Sequence, residues 1–297
     1  MDMNIITHIV DQEGFRLDRH CSKFIPQVSS LKRAKKWIKS GWITLNGRRA
    51  QTGWFVKVGD EIQLTLPDEF LPVWEKELQK FWEDEHLAVV YKPAGMPVHS
   101  QERRSLRHAL GFALQATTER DALVQFEPVH RLDNRTQGLM LIAKTAKARA
   151  QLGLDFADHQ SIHKVYQCVV VGELADGESH QPIDDKPAHS RWRVLGVYDS
   201  AFTGKVSLVE VQIYTGRTHQ IRKHMLAQGT PILGDDLYTI GNPLRKKGLF
   251  LAATQIGFAH PITGVQICIS VPTPEKFHQR LRYESEYLTN KGTGNLS

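Results

Sequence analysis

Between residues 86 and 271 the chain alternates two periodicities, and that alternation limits its fold more than any other feature. HLAVVY, GLMLIAK, KVYQCVVVG, KVSLVEVQIY and VQICISV are apolar runs of strand length. SLRHALGFAL, AKARAQLGLDF and RTHQIRKHMLAQ stand among them and carry their apolar residues at helical spacing. Strands and helices mixed in this way predict an α+β body over residues 81–285. The full chain of 297 residues leaves room for a second unit ahead of it.

That unit is expected over residues 14–66, as a small α/β module. Ser29 or Ser30 can cap a helix running through LKRAKKWIK and ending at Gly41. Leu31, Ala34 and Ile38 fall on one side of it, and Lys32, Lys35, Lys36 and Lys39 on the other. Asn46-Gly47 suits a tight turn between short strands, with Arg48 and Arg49 beside it. In GDEIQLTLP, Ile62, Leu64 and Leu66 alternate with polar residues as in a half-buried strand. DEFLPVWEKELQK, charged and containing Pro72, reads as a linker over 67–80, and residues 286–297 read as a flexible tail.

The formal charge of +6 points to polyanionic partners. No apolar run approaches the ~20 residues of a bilayer span, and the N-terminus lacks the pattern of a secretion signal, so a cytoplasmic protein with no membrane partner is expected, with a monomer as the default. Three scattered cysteines, Cys21, Cys168 and Cys268, suggest neither a disulfide framework nor a zinc knuckle. His159 and His163 are one helical turn apart but lack an acidic partner motif, so no metal site is expected.

Four loop-like stretches carry more polar specificity than packing requires. YKPAGMPVHS displays Lys92 at a strand end, and HKVYQCVVVGEL sets Lys164 and Tyr166 on one face of a strand. YTGRTHQIRKHM groups Arg217, His219, Arg222 and His224 about a helix start. HRLDNRTQG places Asp133 between Arg131 and Arg135, and nearby positive charge favours the ionised form of a carboxyl group. Each is weak alone: an exposed lysine, a strand tyrosine or a salt-bridged aspartate is commonplace.

In their order these stretches resemble the RluA-type RNA pseudouridine synthases. PVHRLDNRTQGLMLIAK matches that family's signature except at Gln137, where serine is usual, and TGRTHQIRKHMLAQGTPILGDDLY and FAHPITG follow in sequence. Ala252 is a second departure, at a position where histidine is frequent. RLDRHCSKF, the basic helix, SGWITLNG and VGDEI similarly resemble an S4 RNA-binding domain. The resemblance implies a mainly antiparallel mixed-sheet catalytic domain preceded by a module that binds structured RNA through shape and phosphates.

It also implies roles. Asp133 takes the position of the catalytic aspartate, Tyr166 that of the base-stacking tyrosine, and Arg222 that of the arginine paired with the carboxylate. Arg131, Lys92, Thr136, Lys164, Arg217 and His219 are candidate substrate contacts, and Lys32, Arg33, Lys35, Lys36, Lys39 and Arg48 candidate RNA contacts. The implied reaction is an isomerisation, so it demands no redox cofactor, ATP or metal. It needs a carboxylate acting on the ribose and a pocket that retains detached uracil. The implied substrate is large-subunit ribosomal RNA, with transfer RNA as the alternative. A non-catalytic RNA-binding or assembly factor is the rival from another class. A glycosidase would need a second catalytic acid, for which Asp235 and Asp236 are the available residues, although a turn is the expected place for them.

Overall fold

The computed structural model describes residues 4–25, 27–28, 30–66, 73–100, 104–158, 161–238 and 248–283. The N-terminal unit begins earlier than position 14. Strand β1 (Asn4–Ile9) precedes helices α1 (Leu17–Phe24) and α2 (Leu31–Lys39), followed by β2 (Ile43–Leu45), β3 (Arg48–Arg49) and β4 (Glu61–Leu66). The four strands form an antiparallel sheet ordered β1-β4-β2-β3. Periodicity missed β1 because Ile5 and Ile9 are exposed on an edge.

Ser30 caps α2 by accepting the Arg33 N–H at 3.2 Å, and Asn46 and Gly47 take positive φ of 49° and 72° in the two-residue turn between β2 and β3. The helix buries Ala34, Trp37 and Ile38 over the sheet, with Ile62 and Leu64 beneath. Leu31, expected on the packed face, is 38% exposed, and Trp37 supplies the bulk instead.

The body is built on a ten-stranded sheet. Along the chain come β5 (Lys80–Glu83), β6 (Leu87–Lys92), α3 (Leu106–Ala113), β7 (Ala122–Pro128), β8 (Gln137–Thr145), α4 (Ala146–Asp158) and β9 (His163–Val171). Then follow β10 (Gly177–Ser179), β11 (Ser190–Ser200), β12 (Gly204–Ile213), α5 (Gln220–Ala227), β13 (Leu251–Ala259) and β14 (Gln266–Ser270). The main path is β10-β11-β12-β9-β13-β8-β6-β5, with β14 on β13 and β7 on β8. Successive side chains of β9 divide between two cores. Tyr166, Cys168 and Val170 face the cluster containing Ile221 and Met225 of α5, whereas Val169 packs with Phe250 and Phe277 on the other side.

β8 and β13 pair in parallel, with Ala252 opposite Gln137 and Ala253 opposite Gly138. Gly138 has φ +131°, and a Cβ there would overlap the backbone of Ala253. This close approach anchors the loop before β8 to the middle of the sheet. Gly138→Ala is expected to cost about 3 kcal/mol or more through strain and collision. A thermal unfolding curve superimposing on wild type would contradict that.

Of the stretch read as a linker, residues 67–72 lie outside the described residues. From residue 73 the chain is packed on the body: Trp74 donates its N–H to the His108 carbonyl at 2.8 Å, and Trp74 and Leu78 cover the main core. Lys80 already belongs to β5. The N-terminal module meets the body along β7. Arg33 pairs with Glu127 at 2.9 Å, Gln27 Nε2 donates to the Ala122 carbonyl at 3.4 Å, and Val124 packs on the module's core. Residues 286–297, read as a tail, lie outside the described residues. No helix among the described residues is long and apolar enough to cross a membrane.

Candidate active site

Asp133 stands in the loop between β7 and β8, where the Thr136 N–H donates to its carbonyl at 3.1 Å and closes a turn. The buried Lys92, at the end of β6, fixes this loop. Its ammonium donates to the carbonyls of Met96 at 2.9 Å and of Pro93 and Asn134 at 3.1 Å each. Lys92 was expected at the surface as a substrate contact; three backbone acceptors for three N–H donors hold it inside instead. Burial pushes its pKa down to about 8, against the raising influence of Asp133.

A cavity of about 100 Å³ opens at this loop. It brings together Asp133, Arg131, Thr136, Tyr166, Arg217, His219 and Arg222, so seven of the nine catalytic and substrate contacts expected from sequence share one wall. Lys92 and Lys164 are the two outside it. Lys164 is buried with its ammonium 5.8 Å from the Phe156 ring, on which His130 also stacks. His130 accepts the Leu141 N–H at 3.0 Å, and burial pushes its pKa down to about 3. This histidine therefore braces β8 as a neutral acceptor.

The carboxylate of Asp133 faces two groups. Arg222 Nη1 lies 3.5 Å from Oδ2, and His219 Nε2 lies 3.7 Å from Oδ1. Arg135 turns the other way, pairing with Asp236 and donating to the Gly234 carbonyl at 3.2 Å. Neither flanking arginine therefore pairs with the carboxylate, because residues two apart in a turn point to different neighbours; Arg131 only lines the same cavity.

Arg222 is itself aimed by Asp235, which sequence placed only in a turn. The fully buried Asp235 accepts from Arg222 Nε at 2.6 Å and Nη2 at 2.8 Å, a bidentate fork. It does hold a turn as well, accepting the N–H groups of Leu237 at 2.9 Å and Tyr238 at 3.2 Å. Tyr238, which motif reading passed over, donates to or accepts from His219 Nδ1 at 2.8 Å, and its ring lies 4.9 Å from the Arg222 guanidinium carbon. His219 adopts φ +58° at the start of α5, a left-handed conformation costly for a non-glycine residue and commonest at functional sites. Only the LGDDLY stretch hinted at this support, and without spatial contact it reads as turn chemistry.

Tyr166 is almost fully buried beside Leu251, and burial with the nearby Asp133 charge pushes its phenol up, so the hydroxyl stays protonated at neutral pH. Thr136 lines the cavity at 2% exposure, and its buried Oγ1 has no hydrogen-bond partner among the described residues. Gln137 and Ala252, the two departures from the family pattern, are cross-strand partners away from the cavity. Ala252 packs on the core of Phe250 and Phe277.

On the N-terminal module Lys32, Lys35, Lys36, Lys39 and Arg48 are exposed. Arg33 is diverted to Glu127 and the Trp37 ring, where it docks the module rather than extending the free basic face. Of the histidine pair weighed for metal, His159 lies outside the described residues. Glu178, His180 and His189, which sequence reading did not single out, lie with their side-chain N and O atoms within 4.8 Å of one another.

A ten-stranded mixed sheet thus carries a carboxylate, an arginine and a buried tyrosine on one cavity, and comparison with known proteins supplies the class. Residues 86–227 match the family described as RNA pseudouridylate synthase, and residues 15–62 match the S4 domain. The chain is 30% identical to the uncharacterized RNA pseudouridine synthase YlyB of Bacillus subtilis, over 91% of this chain and 94% of that protein. It is 32% identical to ribosomal large subunit pseudouridine synthase D of Xanthomonas campestris pv. campestris, over 90% and 88%. The solved structure of human RNA pseudouridylate synthase domain containing 4 superimposes with TM-score 0.55 at 25% identity, over 69% of this chain and 93% of that one. The chain belongs to the RNA pseudouridine synthase family, with an S4 domain at its N-terminus.

Proposed function

We propose that this enzyme isomerises uridine in large-subunit ribosomal RNA, acting as a cytoplasmic monomer, with Asp133 as the group that acts on the ribose. The observation that carries this reading is the placement of the Asp133 carboxylate between Arg222 and His219 in the cavity that Tyr166 lines. Several relatives of near full-length match are named for the ribosomal large subunit, which favours that RNA over transfer RNA.

The reaction breaks the N1–C1′ bond, turns the base and joins C5 to C1′; the C5 proton leaves and N1 gains one. Asp133 serves as nucleophile at C1′ or as base toward the sugar. Arg222, held on its far side by Asp235, orients the carboxylate and compensates charge. The ring of Tyr166 gives uracil a flat surface against which to rotate, and Arg131, Arg217 and Thr136 hold the extruded nucleotide. Extrusion costs a few kcal/mol and least in loops. The exposed lysines of α2 offset it through phosphate contacts, which makes binding salt-sensitive.

Purified protein incubated with ribosomal RNA tritiated at uridine C5 should release tritium to water, and transfer RNA labelled alike should release little. Tritium released from transfer RNA alone would replace the substrate; none from either RNA would remove the reaction. Tyr166→Phe keeps the ring and loses the hydroxyl. That hydroxyl is assigned to assisting removal of the C5 proton, so the half-saturating RNA concentration should stay near wild type while turnover falls roughly 10²-fold, the usual weight of a positioned proton-transfer group. A rise in half-saturation with unchanged turnover would reverse that assignment.

A further inference from the structure

Beside the cavity three rings stand face to face. His180 and His189 have centroids 3.9 Å apart at 19°, and His189 and Tyr214 4.3 Å apart at 13°. The column is rooted in the loop that forms the cavity wall. The Tyr214 N–H donates to the His189 carbonyl at 3.0 Å, the His189 N–H to Thr215 Oγ1 at 2.9 Å, and Gln220 Nε2 to the His189 carbonyl at 2.9 Å. Gly216 and Arg217, next along that loop, line the cavity.

The turn joining His180 to His189 is clipped to the same region. Arg217 Nε donates to the Pro187 carbonyl and Lys223 Nζ to Asp184, each at 2.8 Å. Ile183 and Lys186 bridge across Asp184 and Asp185, both at positive φ. Thus the outermost ring is held at the end of a braced hairpin. The His180 side chain is nevertheless 65% exposed, with one face on His189 and the other toward solvent. Burial does not explain a ring so exposed, and the isomerisation does not use it.

We propose that the column His180–His189–Tyr214 is a stacking platform for an unpaired RNA base flanking the uridine that enters the cavity. Drawing one nucleotide from its stack leaves its neighbours without a partner face, and proteins replace such faces with aromatic or histidine rings. Rings already held in register spare the RNA complex the cost of ordering them. Glu178 Oε2, 3.3 Å from His189 Nε2, sets that ring's plane. The inference rests on the chain acting on RNA, but it concerns binding and is read without turnover.

The test uses the full chain and a hairpin RNA whose loop carries a uridine flanked by 2-aminopurine, titrated with and without EDTA. Wild type should quench the flanking base. His180→Ala should abolish the quench and raise half-saturation about fivefold or more, the scale of one base stacked on an aromatic ring, whereas His180→Phe should keep both near wild type. With an abasic site in place of the flanking base, wild type should lose the same factor and His180→Ala nothing further. Equal losses for His180→Ala on the intact and abasic RNAs, or no loss on either, would overturn the platform. So would a loss reproduced by EDTA alone and restored by zinc, which would assign Glu178, His180 and His189 to a metal, their ligand atoms lying within 4.8 Å of one another. Product formation on the same hairpin is measured separately. Intact stacking without pseudouridine would count against the isomerase assignment and leave the platform standing.

Discussion

Asp133→Asn should lower turnover by about 10⁴-fold or more while leaving RNA affinity within a few fold, because an amide of the same shape keeps the contacts but cannot act as nucleophile or base. The fold should survive the change. The Asp133 side chain is 18% exposed, and its contact with Arg222 is the longer and looser of the two that arginine makes. Single-turnover formation of pseudouridine, with affinity measured on the same preparation, checks both halves. Lost affinity together with lost turnover would indicate that the carboxylate organises the loop rather than reacts.

Asp235→Asn should be the most destabilising change at the site. Asp235 is fully buried, and Arg222, 4% exposed, depends on it for both strong hydrogen bonds. Removing one partner of a buried pair strands the other charge, at about 3–5 kcal/mol, or roughly 6–20 °C in Tm for a body of this size. The pH dependence has a definite sign. Burial alone would raise the Asp235 carboxyl, but hydrogen bonds from Arg222 and the Leu237 and Tyr238 N–H groups bring it below the ordinary range. Its contribution is therefore complete above about pH 4, where an unfolded aspartate is ionised, and is lost as pH falls through the lower native value. Stability and chemistry can be separated. Asp235→Leu combined with Arg222→Met replaces the pair by apolar side chains, so it should recover much of the lost Tm. Turnover should stay low, because the guanidinium that orients Asp133 is then gone and only the longer contact from His219 remains. Recovery of turnover along with Tm would show the pair to be structural only.

The strand and helix runs named in the body were legible because each carries its period within a few residues. What escaped were β5, β7, β10, β11 and β13 in the body, and β1 ahead of it. β1 leaves its isoleucines exposed, and β10 is three residues long, too short to show alternation. At the site, most of the motif residues meet, although Lys92 and Lys164 do not. Asp133, Thr136, Tyr166, Arg217, His219 and Arg222 all reach the cavity that their order implied. Support from the far end of the stretch that holds Arg222 escaped, because its role was not read. Asp235 and Tyr238 are 13 and 16 positions beyond Arg222, and only the fold turns LGDDLY back under α5. Charge misled where geometry decides partners: Arg135, Lys92 and Arg33 each look free in sequence. In the structure they meet Asp236, three carbonyls and Glu127 respectively.

The most direct test of the account is a map of pseudouridine across large-subunit ribosomal RNA from cells lacking this chain, supplied in turn with wild type and with Asp133→Asn. At least one modified uridine should disappear in the deletion, return with wild type and stay absent with the variant. A map unchanged by the deletion, or restored by Asp133→Asn as fully as by wild type, would contradict it.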